Sequence, residues 1–115
     1  MKQEIIIGDI KLNKELETIL KALDDAKLFN IKLYDLGYIN PFYNYVFIAT
    51  AMNKRQLGAA LRFIDEAKVT YDHIEGRDSE WILIDAGDIL INVMTSESRE
   101  LYSLDNLYLN AKTLI

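Results

Sequence analysis

The 115-residue chain has no cysteine, which excludes disulfides, thiolate nucleophiles and cysteine-type zinc sites together. Histidine occurs once, as His73, with no thiol or hydroxyl at a spacing that would make a catalytic dyad. A metal at His73 would need carboxylates converging from elsewhere, so a structural or surface role is the simpler reading. Proline also occurs once. The five glycines, Gly8, Gly37, Gly58, Gly76 and Gly87, stand singly, so no glycine-rich loop exists to cradle a phosphate. No stretch approaches the roughly eighteen apolar residues of a membrane span. Met1 to Ile10 lacks the basic flank, long apolar stretch and cleavage site of a secretory signal. A cytoplasmic protein with no membrane partner and no cofactor is expected.

Positive charge is in deficit: 13 Lys and Arg face 18 Asp and Glu, for a net charge of −5. Nucleic-acid binders normally carry a basic face, so little direct contact with nucleic acid is expected and a protein partner is favoured. What is present is ordinary for a folded domain, with 50% hydrophobic and 27% charged residues. Length and composition together predict one domain spanning residues 1–115.

From Leu12, the residues Leu16, Ile19, Leu20, Leu23 and Ala26 recur at helical spacing, with Asn13 as N-cap and Glu15 and Glu17 in the first turn. Ile31 to Leu36 reads as a strand ended by Gly37, and the apolar run Tyr45 to Ala49 as a strand buried on both faces. Asn53 then caps a second helix, whose Leu57, Ala60, Leu61 and Ile64 share one face. Val69 to Ile74 is a further short strand, closed by Glu75 and Gly76. Trp81 to Ile84 and Ile89 to Met94 form a hairpin through Asp85, Ala86, Gly87 and Asp88, with Gly87 supplying positive φ. Leu101, Leu104, Leu107 and Leu109 suggest a short helical cover. The order predicts an α+β (α/β mixed-sheet) fold of about five strands flanked by helices.

Asp85 and Asp88 are the carboxylate pair most suggestive of an enzyme, since two acids could hold a divalent ion for nucleotidyl transfer. Carboxylates sharing an ion from one strand should lie two residues apart, because side chains alternate between faces. These lie three apart, which favours a β-turn with Asp85 first and Asp88 last. Tyr34, Tyr38, Tyr43 and Tyr45 gather in one region, fitting either packing or a partner surface. Lys54 and Arg55 open the second helix and read as a solvated start. Trp81, Leu83 and Asp85 share one strand face and Ile82 and Ile84 the other, so isoleucines in the core would turn the indole outward, where tryptophan commonly anchors interfaces. Packing against the C-terminal helix is the alternative.

Asn44-Tyr45-Val46-Phe47-Ile48-Ala49-Thr50, with Asn53, Arg55 and Gln56, is similar to the pattern D-Y-F-V-I-A-T-G-x-S-x-R-Q of the Iojap family of ribosomal silencing factors. Glu75-Gly76 and Trp81-Ile82-Leu83-Ile84-Asp85-Ala86-Gly87-Asp88 resemble its E-G and W-x-L-x-D-x-G-D segments. Arg99 to Tyr108 resembles its R-x-x-Y-x-L-E-x-L-W ending. The sequence departs from the pattern at Asn44, Ala51, Asn53 and Tyr108, and at Asn92, where the family commonly has histidine. The resemblance implies a nucleotidyltransferase-like topology without the catalytic carboxylates, a non-enzymatic role and a homodimer when free. It implies docking on the large ribosomal subunit through ribosomal protein fourteen, blocking the small subunit and repressing translation when nutrients are scarce. Matched residues suggest partner contacts from Trp81, Leu83, Asp85 and Asp88. Support would come from Tyr45, Thr50, Arg55, Glu75, Gly76, Gly87, Arg99, Tyr102 and Leu104. The alternatives are a metal-dependent nucleotidyltransferase using Asp85 and Asp88, and an assembly factor for another complex.

Overall fold

The structure, a computed structural model, describes residues 6–7, 10–37, 39–77 and 79–115, with side chains from Leu12 onward. Tyr38 of the tyrosine group and Gly8 lie outside the described residues. A two-stranded ribbon, β1 (Ile6–Ile7) and β2 (Ile10–Lys11), precedes helix α1 (Lys14–Asp25). Strands β3 (Phe29–Asp35) and β4 (Tyr45–Ala51) lead to helix α2 (Lys54–Glu66). Then come β5 (His73–Glu75), β6 (Trp81–Ala86), β7 (Ile89–Thr95), helix α3 (Ser96–Tyr102), a 3₁₀ helix (Leu104–Tyr108) and β8 (Lys112–Thr113). Six of these strands form one mixed sheet in the order β5-β6-β7-β4-β3-β8.

Local chemistry sets the helix starts as expected. Asn13 accepts the Leu16 N–H at 2.9 Å and Asn53 the Gln56 N–H at 2.9 Å, each satisfying a donor that the first turn leaves free. The Gln56 side chain also reaches the carbonyls of Ala26 and Lys27 at 3.2 and 2.8 Å, tying the start of α2 to the end of α1. Leu16, Ile19, Ala22 and Leu23 of α1 and Leu57, Ala60 and Ile64 of α2 bury one face of the sheet. They pack on Leu33, Phe47, Ala49, Ile82, Ile84, Ile91 and Val93. We call this the first face.

β4 lies in the middle of the sheet with Val46 to Ala51 all buried, as its unbroken apolar run required. It pairs antiparallel with β3 and parallel with β7, the latter in register from Tyr45 opposite Ile89 to Ala51 opposite Thr95. All other pairings are antiparallel. The second face carries Tyr34, Val46, Ile48, Thr50, Asn92 and Met94 and receives α3 and the 3₁₀ helix as a partial cover.

Some expectations need correction. The main sheet has six strands rather than about five, because β8 adds an edge beside β3 that no sequence pattern announced. Val69 to Asp72 lies outside any strand, and β5 begins only at His73. The hairpin is tighter than a turn from Asp85 to Asp88: Ala86 pairs with Ile89, leaving Gly87 and Asp88 as a two-residue loop. Gly87 has φ +76 while Asp88 keeps negative φ, the signature of a type II′ turn with glycine first. Asp85 therefore belongs to the strand. The leucine cover is also only partly real. Leu104 is buried, whereas Leu101, Leu107 and Leu109 are exposed.

Candidate functional site

With Ile82 and Ile84 locked into the first face, alternation turns Trp81, Leu83 and Asp85 onto the second. Cross-strand pairing sets His73 beside Asp85, Glu75 beside Leu83 and Asn92 on the other flank of Leu83. The partial cover stops short of this end of the sheet. Trp81, Leu83, Asp85 and Leu90 are half-buried, and His73 and Glu75 are exposed.

Two devices hold Trp81. Its main chain is fixed by the segment before it: Gly76 has φ +81, and a Cβ there would lie 2.1 Å from the Trp81 carbonyl oxygen. Only glycine allows both the dihedral and the approach. The Ser79 hydroxyl accepts the Trp81 N–H at 3.1 Å and lies 2.9 and 2.7 Å from the Gly76 and Trp81 carbonyl oxygens. The indole in turn packs on Tyr102 of α3, with ring centroids 5.3 Å apart and planes tilted by 43°, and donates from Nε1 to Asn92 Oδ1 at 2.9 Å. The outward-facing and helix-packed readings of Trp81 thus both hold in part.

Asp85 accepts the Tyr43 hydroxyl at 3.0 Å, a bond that, with burial second, raises the phenol above its usual pKa. Asp88 sits exposed in the hairpin loop, where its carboxylate accepts from Asn44 Nδ2 at 3.0 Å. The two aspartates are engaged by separate partners, and no group of three or more His, Cys, Asp or Glu able to hold a metal occurs among the described residues. His73 lies 3.1 Å from Glu75, exposed at the sheet edge.

A second cluster fastens the cover. Arg99 of α3 donates to both carboxylate oxygens of Asp105 at 2.9 and 3.0 Å and to Thr50 Oγ1 at 2.8 Å, and it also bonds the Asn30 carbonyl. Asn30 supplies that carbonyl from a β-bulge with φ 49, a conformation asparagine tolerates. Tyr34, stacked on Tyr108 at 5.3 Å, donates to Asp105 at 2.7 Å. The Arg99 guanidinium holds the Asp105 carboxyl below its usual pKa, helped by the Tyr34 hydroxyl, while burial opposes both. Burial, then the Asp105 contact, pushes Tyr34 up to about 12.

The structure therefore brings together Trp81, Leu83 and Asp85, with Glu75, Gly76 and Tyr102 around them, while Thr50, Arg99 and Leu104 secure the adjoining cover. Asp88 and Gly87 mark the hairpin tip. Tyr45 and Arg55 stand apart: Tyr45 packs against the first core, and Arg55 is exposed on α2. Tyr43, from the tyrosine group read as either packing or a partner surface, touches the site through Asp85, and Asn92, noted only as a departure from the family pattern, touches it through Trp81. Asn92 left a signal in the sequence, a lone amide inside the apolar run from Ile89 to Met94.

The fold places the chain in the α+β class, with a six-stranded mixed sheet closed by two helices on one face and half-covered on the other. Comparison with known proteins narrows the class to a family. The family model described as "Ribosomal silencing factor during starvation" matches residues 9–114, and the chain belongs to that family. A ribosomal silencing factor of Chromobacterium violaceum is 31% identical over 94 residues, 77% of each chain. The chloroplastic protein Iojap of Arabidopsis thaliana is 29% identical over 97 residues, 81% of this chain and 41% of the plant protein. A crystal structure of a Chromobacterium violaceum protein superposes with a TM-score of 0.76 at 29% identity, covering 82% of both chains. One from Bacillus halodurans, at 23% identity and 0.73 over 87% of this chain and 95% of that one, shares the fold.

Proposed function

We propose that this chain, as one domain, silences ribosomes by docking on the large subunit through ribosomal protein fourteen and denying space to the small subunit. Translation would fall when nutrients are scarce, and the free protein would pair with a second copy. The mechanism is steric and asks for no bond chemistry. Family membership supports the ribosomal setting. The observation that carries the surface assignment is the half-open indole of Trp81 on the second face, flanked by Leu83 and Tyr102. A large aromatic held in place beside apolar and polar neighbours is the kind of residue that dominates protein interfaces. The acidic rim of Glu75 and Asp85 and the net charge of −5 suit a protein partner better than bare phosphates.

Cosedimentation with isolated large subunits tests the reading. Trp81→Ala should weaken binding by roughly 2 kcal/mol, about thirtyfold in Kd, with the circular dichroism spectrum unchanged. A folded variant that sediments like the parent would remove Trp81 from the interface. A parent protein that ignores large subunits would remove the function.

A further inference from the structure

We propose that Asn92 is the positioning residue of the docking face: its buried amide fixes the orientation of the Trp81 indole before any partner arrives. The proposal deepens the docking reading and rests on it. Asn92 is 1% exposed in β7, an interior strand, with Ile91 and Val93 beside it in the core. An amide there is costly, because asparagine is poorly suited to strands and a buried polar group must recover the hydrogen bonds it loses to water. Two other buried polar side chains of the sheet have local tasks. Thr95 caps α3 and Thr50 meets Arg99. Asn92 instead faces two directions. Its Oδ1 accepts the indole N–H at 2.9 Å, and its Nδ2 donates to the Phe47 carbonyl of β4 at 3.3 Å.

The chemistry of that bridge is directional. Indole nitrogen only donates and a carbonyl only accepts, so one amide orientation satisfies both, whereas the flipped amide sets donor against donor and acceptor against acceptor. Phe47 lies fully buried on the central strand, so the chain from Phe47 through Asn92 to Trp81 references the surface indole to the buried middle of the sheet. Tyr102 supports the ring from the other layer but is itself 59% exposed, and the second core cluster packs against Trp81 without offering its N–H a partner. An indole held in one rotamer loses less freedom on docking, which is how preorganisation raises affinity.

Trp81 is the only tryptophan, so its fluorescence reports this side chain alone. Asn92→Leu puts an apolar side chain of similar size in place of the amide and deletes both bonds; Asn92→Ala serves if the leucine variant misfolds. In the full chain, time-resolved anisotropy should gain a fast component as the indole is released, and acrylamide quenching should change. Affinity for large subunits should fall by up to about tenfold, the cost of immobilising one freed side chain on docking. Trp81→Phe retains an aromatic ring without the N–H, so adding Asn92→Leu in that background should bring little further loss. An indole as rigid in the Asn92 variants as in the parent overturns the proposal. So does an equal loss of binding in the Trp81 and W81F backgrounds, which would mark Asn92 as a fold-supporting residue only. If the parent protein does not bind large subunits, the docking reading fails by itself, and anisotropy still decides whether Asn92 holds the ring.

Discussion

Arg99 shows how much one side chain can organise: it joins a helix, a 3₁₀ turn, a bulge and the central strand through a single guanidinium. Its consequences for pH follow from the two acids around it. Asp105 titrates below its unfolded value, so its contribution is intact above about pH 4 and is lost as the pH falls through the folded pKa. Tyr34 titrates above its unfolded value, at about 12, so its neutral form contributes fully below pH 10 and is lost between there and 12. Thermal midpoints should therefore decline at both extremes. Asp105→Asn should flatten the acid limb, and an unchanged limb would show that the pair adds nothing to stability. The resemblance marked Arg99 as a supporting residue, yet no spacing rule links it to Asn30 or Thr50. Those contacts depend on a bulge and on tertiary packing, which leave no local periodicity.

Among the elements, α1, α2, β4 and the β6–β7 hairpin were legible because their periodicity and caps agree with their burial. The C-terminal region was not. Its leucines are spaced as if on one helix, but Ser103 adopts φ 47 and breaks α3, and the chain resumes as a tighter 3₁₀ turn, with Leu104 buried and Leu101, Leu107 and Leu109 exposed. Leu104→Ala should then cost about 2–3 kcal/mol in chemical denaturation, while Leu107→Ala should cost less than about 0.5. Equal costs would contradict the broken helix. The candidate site was readable to a similar degree. Alternation along β6 grouped Trp81 with Leu83 and Asp85, but the partnership with Asn92 required knowing the hairpin register.

For the whole molecule, electrostatics distinguish two ways of meeting a ribosome. A protein neutralising six to ten phosphates loses about 10³ to 10⁵ in affinity between 50 and 200 mM salt. A chain with net charge −5 that docks through an aromatic face on a protein should lose less than about tenfold over that range, as measured by sedimentation at graded salt. A steep loss would point to direct contact with rRNA.

The hairpin that carries Trp81 is no appendage. Its second strand, β7, is also the parallel neighbour of the buried middle strand. A ligand tugging on this hairpin would have to unzip the heart of the protein to bend it. Recognition should therefore resemble a key entering a lock already cut, with no loop to fold and little shape change to await.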